Sequence, residues 1–304
     1  MSDIIRLSPA VKAASVDSKP IVALESTIIT HGMPWPRNAE VARGVEAIIR
    51  EEGCEPATIA VLDGTLRIGL AAEEIDALAR TPDVMKLSSA DLGYAVSQRR
   101  TGSTTVAATM TAMHAATRQT GIAISVFATG GIGGVHRGWT ATLDISADLD
   151  ALAEHTMVVV CAGPKAILDV PATLEALETR GVPVIGYGTD ELPAFWSRSS
   201  GLPAPLRVDE PRAVADMFRV RRELAQSGSL LVTVPVPREA EIVREEIASR
   251  IEAALASATH VKAKDVTPYL LSRMLTETGG RSLETNIALI RNNARVAARI
   301  AKAL

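Results

Sequence analysis

Aromatic residues and cysteines are scarce in this sequence. Only 3% of its 304 residues are Phe, Trp or Tyr, whereas 47% are hydrophobic, so the interior must consist mainly of Ala, Val, Ile and Leu. This composition is typical of a parallel sheet that helices cover on both faces. With only Cys54 and Cys161, a disulfide framework is implausible, and we expect a reducing, cytoplasmic environment. Cys161 lies in an apolar run, which favours an inert buried thiol over the alternative of a reactive one.

A large excess of charge and a long apolar run are also absent. The formal net charge is -3, which gives no electrostatic case for a nucleic-acid polymer or an anionic membrane surface as partner. No apolar run approaches the length that spans a bilayer, and residues 1–20 lack the basic start and apolar block of a secretory signal. We therefore expect a small-molecule ligand.

Familiar nucleotide and hydrolase motifs are missing as well. The glycine-rich residues 130–134 lack the Lys-Ser/Thr ending of a P-loop, and no helix-forming sequence follows them as a dinucleotide fingerprint requires. The chain has no Gly-x-Ser-x-Gly elbow, so a Ser-His-Asp triad has no support. It also has no internal repeat or low-complexity tract. These absences argue against a standard nucleotide fold and against a repeat architecture.

Short apolar runs alternate with helical patterns along most of the chain. The predicted strands span residues 21–24, 58–62, 84–87, 122–128, 157–162, 182–187 and 230–234, and Asp63 and Gly64 form a predicted turn. The predicted helices span residues 38–52, 71–79, 106–118, 168–179, 211–226 and 238–258, with further helices beginning at 147 and 283, and with Asn38 and Ser282 as caps.

This alternation predicts an α/β fold of three layers. A mostly parallel sheet is flanked by helices on both faces, and the C-terminal end is helical. We expect one domain over residues 1–304. Within it, residues 1–19 form a leader arm and residues 191–211 a proline-rich surface segment.

Residues 126–165 place most of the reactive side chains between two apolar runs, so we predict the functional site there. The four glycines within residues 130–134 can turn their N–H groups into a nest for phosphate or carboxylate. Thr129, His136 and Arg137 would add side-chain donors. The alternative is a tight turn that needs positive φ.

Lys165 and Glu25 each follow a predicted buried strand. An amine at the end of an apolar strand loses hydration, which favours the uncharged, nucleophilic form that attacks a carbonyl or sugar carbon. Glu25 is a candidate proton donor, with membership of an ion pair as the alternative. His31 and His136 lie in separate loops without the spacing of zinc ligands, so we assign no zinc.

Asp144 precedes a predicted helix that Ser146 could cap. As a hard oxygen ligand, its carboxylate could hold a hydrated Mg²⁺ or Mn²⁺ together with water. Asp150, in contrast, lies in the first helical turn, where a favourable interaction with the helix dipole is the simpler interpretation.

Several long motifs occur in a fixed order from about residue 20 to the C-terminus. They are ALESTIITHGMPWPRNAE, ATIAVLDGTLRIGL, GSTTVAATM, FATGGIGGVHRG, LDISADL, VVVCAGPKAILD, VPVIGYGTDELPAFW and TGGRSLETNIALIRNNA. Together they resemble the pseudouridine-5'-phosphate glycosidase family. The resemblance implies reversible cleavage of the C–C glycosidic bond of pseudouridine 5'-phosphate to uracil and ribose 5-phosphate.

The resemblance also implies roles for individual residues. Lys165 would be the nucleophile that opens the ribose and holds C1′ as a Schiff base, Glu25 the acid that protonates the base, and Asp144 the ligand of one Mn²⁺ or Mg²⁺ per subunit. The implied substrate contacts are Lys86, Val106, Thr129, His136, Ser146, Ala147, Asp148 and Asn286. A cytoplasmic homotrimer is implied as the assembly.

The chain departs from the family pattern in two places. The family usually has a pair of arginines after its Lys-x-Ser segment, whereas this chain reads Lys-Leu-Ser-Ser-Ala over residues 86–90, and an insertion lies near residues 118–121. Two alternatives therefore stay open. One is a Schiff-base lyase or glycosidase acting on another phosphorylated C-riboside, and the other is a phosphosugar-binding protein without catalysis.

Overall fold

The computed structural model describes residues 4–257 and 266–304. Within them the strands are β1 (Ile5–Leu7), β2 (Ile21–Leu24), β3 (Glu55–Leu62), β4 (Thr65–Ile68), β5 (Met85–Leu87), β6 (Gly102–Thr104), β7 (Val126–Ala128), β8 (Val158–Cys161), β9 (Val184–Tyr187), β10 (Leu206–Val208) and β11 (Leu230–Thr233). The helices are α1 (Pro9–Val16), α2 (Thr27–Thr30), α3 (Arg37–Glu51), α4 (Ala72–Arg80), α5 (Leu92–Ser97), α6 (Val106–Thr120), α7 (Trp139–Thr142), α8 (Asp148–Glu154), α9 (Val170–Thr179), α10 (Pro211–Glu223), α11 (Arg244–Ser257), α12 (Val266–Glu277) and α13 (Arg281–Ala303).

One mixed, mostly parallel sheet organises these elements. Its order is β1-β4-β3-β2-β7-β8-β11-β9-β10, and β6 joins β3 and carries β5. β3 is antiparallel to β4 and β6, whereas the other described pairs are parallel. The predicted turn at Asp63 and Gly64 joins β3 to β4, with φ of 49° and 77° at the two residues. β2 lies between β3, which follows it in the chain, and β7, which is added on its other side. Such a change of direction in a parallel sheet creates a crevice at the carboxyl ends of the strands.

Helices cover both faces of the sheet, as the sequence predicts. Val22 and Leu24 of β2 belong to a buried cluster that includes α3, α10 and α13. Ile21 and Ala23, which point to the other face because side chains alternate along a strand, belong to a cluster that includes α1, α6, α8 and α9. The three-layer α/β prediction is confirmed.

The predicted leader arm has defined structure. β1 pairs in parallel with β4, and Ser8 caps α1 by accepting a hydrogen bond from the Val11 N–H at 3.2 Å. Val11 is fully buried against the sheet. The expectation of an arm over residues 1–19 is therefore wrong for β1 and α1, because a three-residue strand and an eight-residue helix are too short to give a periodic pattern.

The predicted surface segment is only partly at the surface. Leu192 and Trp196 are fully buried and Phe195 is 4% exposed, so the start of residues 191–211 folds into the protein. A high proline content favours a surface segment in the sequence prediction, but proline only restricts the backbone and does not decide whether the segment is buried. The aromatic side chains between them decide the burial.

The boundaries of several helices also differ from the prediction. α3 and α13 begin before Asn38 and Ser282, so neither residue is a cap; Gly280, with φ 91°, precedes α13. The predicted helix 238–258 begins at Arg244, and its predicted end at 258 lies outside the described residues. No described helix, α13 included, combines the length and apolarity that a membrane span requires.

Candidate active site

Three neighbouring strands end beside a single cavity. Leu24 at the end of β2 pairs with Ala128 of β7, which pairs with Val160 of β8. The residues that follow these strands contribute to a cavity of about 370 Å³. Ten residues predicted for the site line it: Glu25, Lys86, Val106, His136, Asp144, Ser146, Ala147, Asp148, Lys165 and Asn286.

Glu25 follows β2 directly and is held by two threonine hydroxyls. Thr129, at the end of β7, donates to Glu25 Oε1 at 2.6 Å, and Thr27 donates to Oε2. Thr129 is fully buried and is not among the residues that line the cavity. Its predicted contact with the phosphate or sugar is thus replaced in this structure by a contact with the carboxylate. Asn293 of α13 holds the same strand end by donating to the Thr129 carbonyl at 2.8 Å.

Lys165 reaches the cavity from a short loop after β8. Gly163 adopts φ 86°, and a Cβ there would lie 2.3 Å from the Pro193 carbonyl oxygen, so the turn requires glycine. The Lys165 N–H donates to the Ile132 carbonyl at 3.1 Å, which fastens this loop to the glycine-rich loop. The backbone around Lys165 therefore fixes the point from which its side chain enters the cavity.

The glycine-rich loop differs from the predicted nest and from the predicted alternative. None of its four glycines has a positive φ. Glycine is needed because neighbours approach closely: a Cβ on Gly131 would lie 2.6 Å from the Phe195 ring, and one on Gly133 would lie 2.3 Å from Ser146 Oγ. The Gly133 N–H donates to Asp148 Oδ2 at 2.7 Å, so a protein carboxylate takes this donor.

Asp148 ties the loop to helix α6. Its side chain is buried, and Oδ1 accepts a hydrogen bond from the Ala107 N–H in the first turn of α6 at 2.9 Å. The first turn of α6, with Thr105 as its cap and Val106 in the cavity wall, faces the same space as Lys86. A helix N-terminus beside a lysine is suited to an anionic group such as phosphate.

His136 and Asp144 form a second polar wall. His136 Nδ1 lies 3.9 Å from Asp144 Oδ2, and the His136 N–H donates to the Asp144 carbonyl at 3.1 Å. Burial lowers the pKa of His136 below its ordinary value of 6.5; Asp144 opposes this shift, whereas Lys165 and Lys86 add to it. The neutral imidazole is therefore the form present near neutral pH.

No group of three or more His, Cys, Asp or Glu side chains among the described residues could hold a metal ion. Asp144, with 37% of its side chain exposed, would be a single protein ligand. One carboxylate with several waters suits a strongly hydrated Mg²⁺-like ion and does not suit zinc, which takes three or four protein ligands. The residues therefore fit a loosely held, hydrated divalent cation.

His31 is a cavity residue that the sequence indicated only as an unassigned histidine. Its Nδ1 lies 2.6 Å from Thr30 Oγ1, and Thr30 donates its hydroxyl proton to Ser103 Oγ at 2.7 Å. Since Thr30 has one proton to donate, it accepts from His31, which places the ring proton on Nδ1. The Thr-His-Gly sequence after β2 is the signal that could have found this residue.

Phe195 and Asn286 complete the lining of the cavity. Phe195, from the segment predicted to be at the surface, lines the cavity with a left-handed backbone of φ 61°. Asn286 of α13 also lines it, and its Oδ1 accepts a hydrogen bond from Trp196 Nε1 at 2.8 Å. The motif GTDELPAFW contains both aromatic residues but gives no sign of their burial.

Cys161 of β8 lies close to this site but not in it. It is fully buried, and this burial raises the pKa of its thiol to about 12. The thiolate is the reactive form, so the interpretation of an inert cysteine is supported.

Comparison with known proteins identifies the family. The model of the family described as indigoidine synthase A like protein matches residues 10–303. A pseudouridine-5'-phosphate glycosidase of Paracoccus denitrificans is 59% identical, with 100% of this chain and 99% of that relative covered. The chain belongs to the pseudouridine-5'-phosphate glycosidase family. Its relative of the same name in Methylobacterium nodulans is 56% identical over 99% of this chain and 88% of its own length.

Solved structures of the family share the fold. An indigoidine synthase A-like protein from Thermotoga maritima has a TM-score of 0.87 at 34% identity, covering 98% of this chain and 95% of its own. The prealnumycin C-glycosynthase AlnA, solved with ribulose 5-phosphate, has a TM-score of 0.89 at 35% identity, covering 100% and 98%. The relative AlnA thus holds a pentose phosphate in a fold similar to that of this chain.

Proposed function

We propose that this protein cleaves the C–C glycosidic bond of pseudouridine 5'-phosphate, reversibly, to give uracil and ribose 5-phosphate. The observation that carries the proposal is that Glu25 after β2 and Lys165 after β8, the two strands that flank β7, line one cavity in a chain 59% identical to a glycosidase of that name. A C–C bond has no electronegative leaving atom, so two carboxylates alone would not cleave it. A lysine with a nearby acid supplies what is missing.

The reaction proceeds in two bond exchanges. The neutral Lys165 Nζ forms a bond to C1′ while the C1′–O4′ bond breaks, and the proton that the nitrogen then loses passes to O4′, which opens the ribose ring. The nitrogen lone pair then forms a C=N bond to C1′ as the C1′–C5 bond breaks. Its electron pair goes to uracil C5, which receives the proton of Glu25. Water hydrolyses the protonated imine, which releases ribose 5-phosphate, regenerates the neutral amine and frees one proton that returns to Glu25.

The remaining cavity residues bind the substrate. Lys86, with its positive charge, and the N–H of Val106 at the start of α6 are suited to the phosphate; the next two N–H groups of the helix are bonded to Asp148 and Thr105. Ser146, Ala147 and Asp148 line the cavity beside this turn, where Asp148 keeps the glycine-rich loop against α6.

Asp144 would hold one Mn²⁺ or Mg²⁺ per subunit, with water as its other ligands. When bound, this ion supplies charge screening for the phosphate.

The proposal includes a homotrimer in the cytoplasm. Its support is the resemblance of the chain to the family and the two buried, reduced cysteines. Sedimentation of the purified protein is expected to give three times the subunit mass.

Borohydride trapping tests the covalent step. With ribose 5-phosphate and borohydride present, we expect a mass increase on the peptide that contains Lys165. Lys165→Ala should lose the label and turnover, whereas Lys12→Ala, at an exposed position of α1, should keep both. Labelling of wild type and Lys165→Ala alike would remove Lys165 as the nucleophile. An unlabelled, inactive wild type would instead favour a phosphosugar-binding protein.

Residues 88–90 are the reason to measure turnover of other phosphorylated C-ribosides as well. Ser88 lines the cavity and directly precedes Ser89 and Ala90, where the family usually has a pair of arginines, so this part of the chain lacks their positive charge. The turnover rates of pseudouridine 5'-phosphate and of other phosphorylated C-ribosides are compared to decide which compound is the preferred substrate. Faster turnover of an analogue would make that analogue the preferred substrate.

A further inference from the structure

The amide of Asn286 has one orientation that the structure explains. Its Oδ1 accepts the indole N–H of Trp196 at 2.8 Å, and Asn286 is itself a cavity residue. An indole nitrogen only donates, so the atom it contacts must be the amide oxygen and not the amide nitrogen. With the oxygen turned to Trp196, the amide NH₂ group is left for the cavity side.

Trp196 cannot readily turn away from this partner. Its side chain is fully buried, its carbonyl accepts from the Ile242 N–H at 3.0 Å, and the neighbouring Ser197 hydroxyl donates to the Ile242 carbonyl at 2.7 Å. On its other side, the Phe195 ring packs edge-on at 5.3 Å between centroids. The indole is thus fixed by its surroundings before any ligand binds.

Phe195 connects this indole to the glycine-rich loop. Its N–H donates to the Ala162 carbonyl at 2.9 Å, and its ring lies where a side chain on Gly131 would be. A bulky residue with φ 61° is strained, and such strain persists only where the surroundings impose it. The Phe195 and Trp196 pair therefore forms one rigid support that reaches from the loop after β8 to α13.

We propose that Trp196 is a positioning residue that locks the Asn286 amide with its two N–H donors facing the cavity. The cavity then selects an oxygen acceptor of the substrate at this point, and disfavours a donor. A flipped amide would leave the buried indole N–H facing an NH₂ group, without an acceptor. The cost of this unpaired donor disfavours the flipped orientation roughly ten- to a hundredfold. The inference rests on the proposed function, because it takes Asn286 as a contact of the substrate.

A double-mutant cycle tests this role. Trp196→Phe keeps an aromatic side chain and removes the N–H, so the released amide loses its fixed orientation. We expect KM for pseudouridine 5'-phosphate to rise about tenfold, the size of one lost polar contact, while kcat stays within about threefold. In the Asn286→Ala background, the same Trp196→Phe change should alter KM less than about twofold, because no amide remains to be oriented.

The wild type, the two single variants and the double variant are first compared by thermal unfolding to check that each is folded. Asn286→Asp is added as a fifth protein. This variant keeps an oxygen for Trp196 but presents a carboxylate oxygen to the cavity, so its KM should rise at least as much as that of Asn286→Ala. Equal effects of Trp196→Phe in both backgrounds, or an unchanged KM in a folded single variant, would overturn the inference. If the wild type does not turn over this substrate, the proposed function fails. The positioning role is then tested by the same double-mutant cycle, with the affinity for ribose 5-phosphate measured by calorimetry.

Discussion

Thr129 positions the carboxylate of Glu25 from a fully buried site. Its hydroxyl donates to Oε1 at 2.6 Å, and it takes no part in the cavity wall. We expect Thr129→Val, which keeps the shape and loses the hydroxyl, to lower kcat about tenfold, the size of one lost hydrogen bond that holds the carboxyl group of Glu25 in place. KM should change little.

Thr129→Ser is the matched control, because it keeps the hydroxyl and removes one methyl group. Its kcat should stay within about threefold of wild type, as expected when the hydrogen bond remains. Steady-state kinetics of the two variants checks the prediction. A loss of the same size in both would assign the effect to packing instead of hydrogen bonding.

Residues that directly follow a strand are the part of the site that the sequence predicts well. Glu25 and Lys165 follow apolar runs, and parallel strands bring such positions to one edge of a sheet. Thr129 follows a strand too, but whether a hydroxyl faces the ligand or a neighbouring carboxylate depends on its rotamer, which no pattern encodes. Phe195 and Trp196 could not be predicted, because their burial depends on contacts with α13 and the glycine-rich loop.

At the scale of elements, the glycine-rich loop depends on close packing. A Cβ at Gly131 would meet Phe195 Cδ2 at 2.6 Å and the Gly163 carbonyl oxygen at 3.0 Å. We expect Gly131→Ala to lower the free energy of unfolding by about 1–3 kcal/mol, as overpacking does, and to lower kcat/KM by displacing Phe195. Urea unfolding and steady-state kinetics measure the two effects.

Gly93→Ala is the control for this change. Gly93 is exposed in α5, and nothing lies within 4 Å of an added Cβ. Alanine should raise the stability there by up to about 1 kcal/mol, because it is the better helix former. A Gly131→Ala protein as stable and as active as Gly93→Ala would show that the loop tolerates a side chain.

Elements with a local periodic or apolar pattern were predictable, whereas β1, β4 and β10 were not. The periodicity of α3 and the apolar runs of β7 and β8 are local properties of the sequence. β1, β4 and β10 have three or four residues each and are defined by the strands they pair with. Pairing of distant segments is a tertiary property, so the order of the strands in the sheet came only from the structure.

For the whole molecule, the two hydrophobic clusters on either face of the sheet hold the strand ends in register. The site is assembled from segments between Glu25 and Leu289, so its geometry depends on the integrity of both clusters. Conditions that destabilise the fold should therefore reduce activity together with stability. Titration of partly buried histidines is one such condition.

His155, at the end of α8, links the stability of the molecule to pH. Burial lowers its pKa below the ordinary value of 6.5, and His114, stacked on it at 5.1 Å between centroids, lowers it further, while Glu154 opposes the shift. The unfolded chain thus binds a proton more readily than the folded one. Stability is fully present above pH 6.5 and is lost as the pH falls from 6.5 through the lower folded pKa.

His136 contributes with the same sign, since its pKa is also lowered. We therefore expect the free energy of unfolding to fall between about pH 7 and pH 5, the range in which histidines titrate. His155→Gln should make this fall shallower, because glutamine can still bond Thr111, which contacts His155 Nε2 at 3.3 Å, but does not titrate. Urea unfolding at several pH values measures the slope, and an unchanged slope in His155→Gln would mean that His155 does not contribute to it.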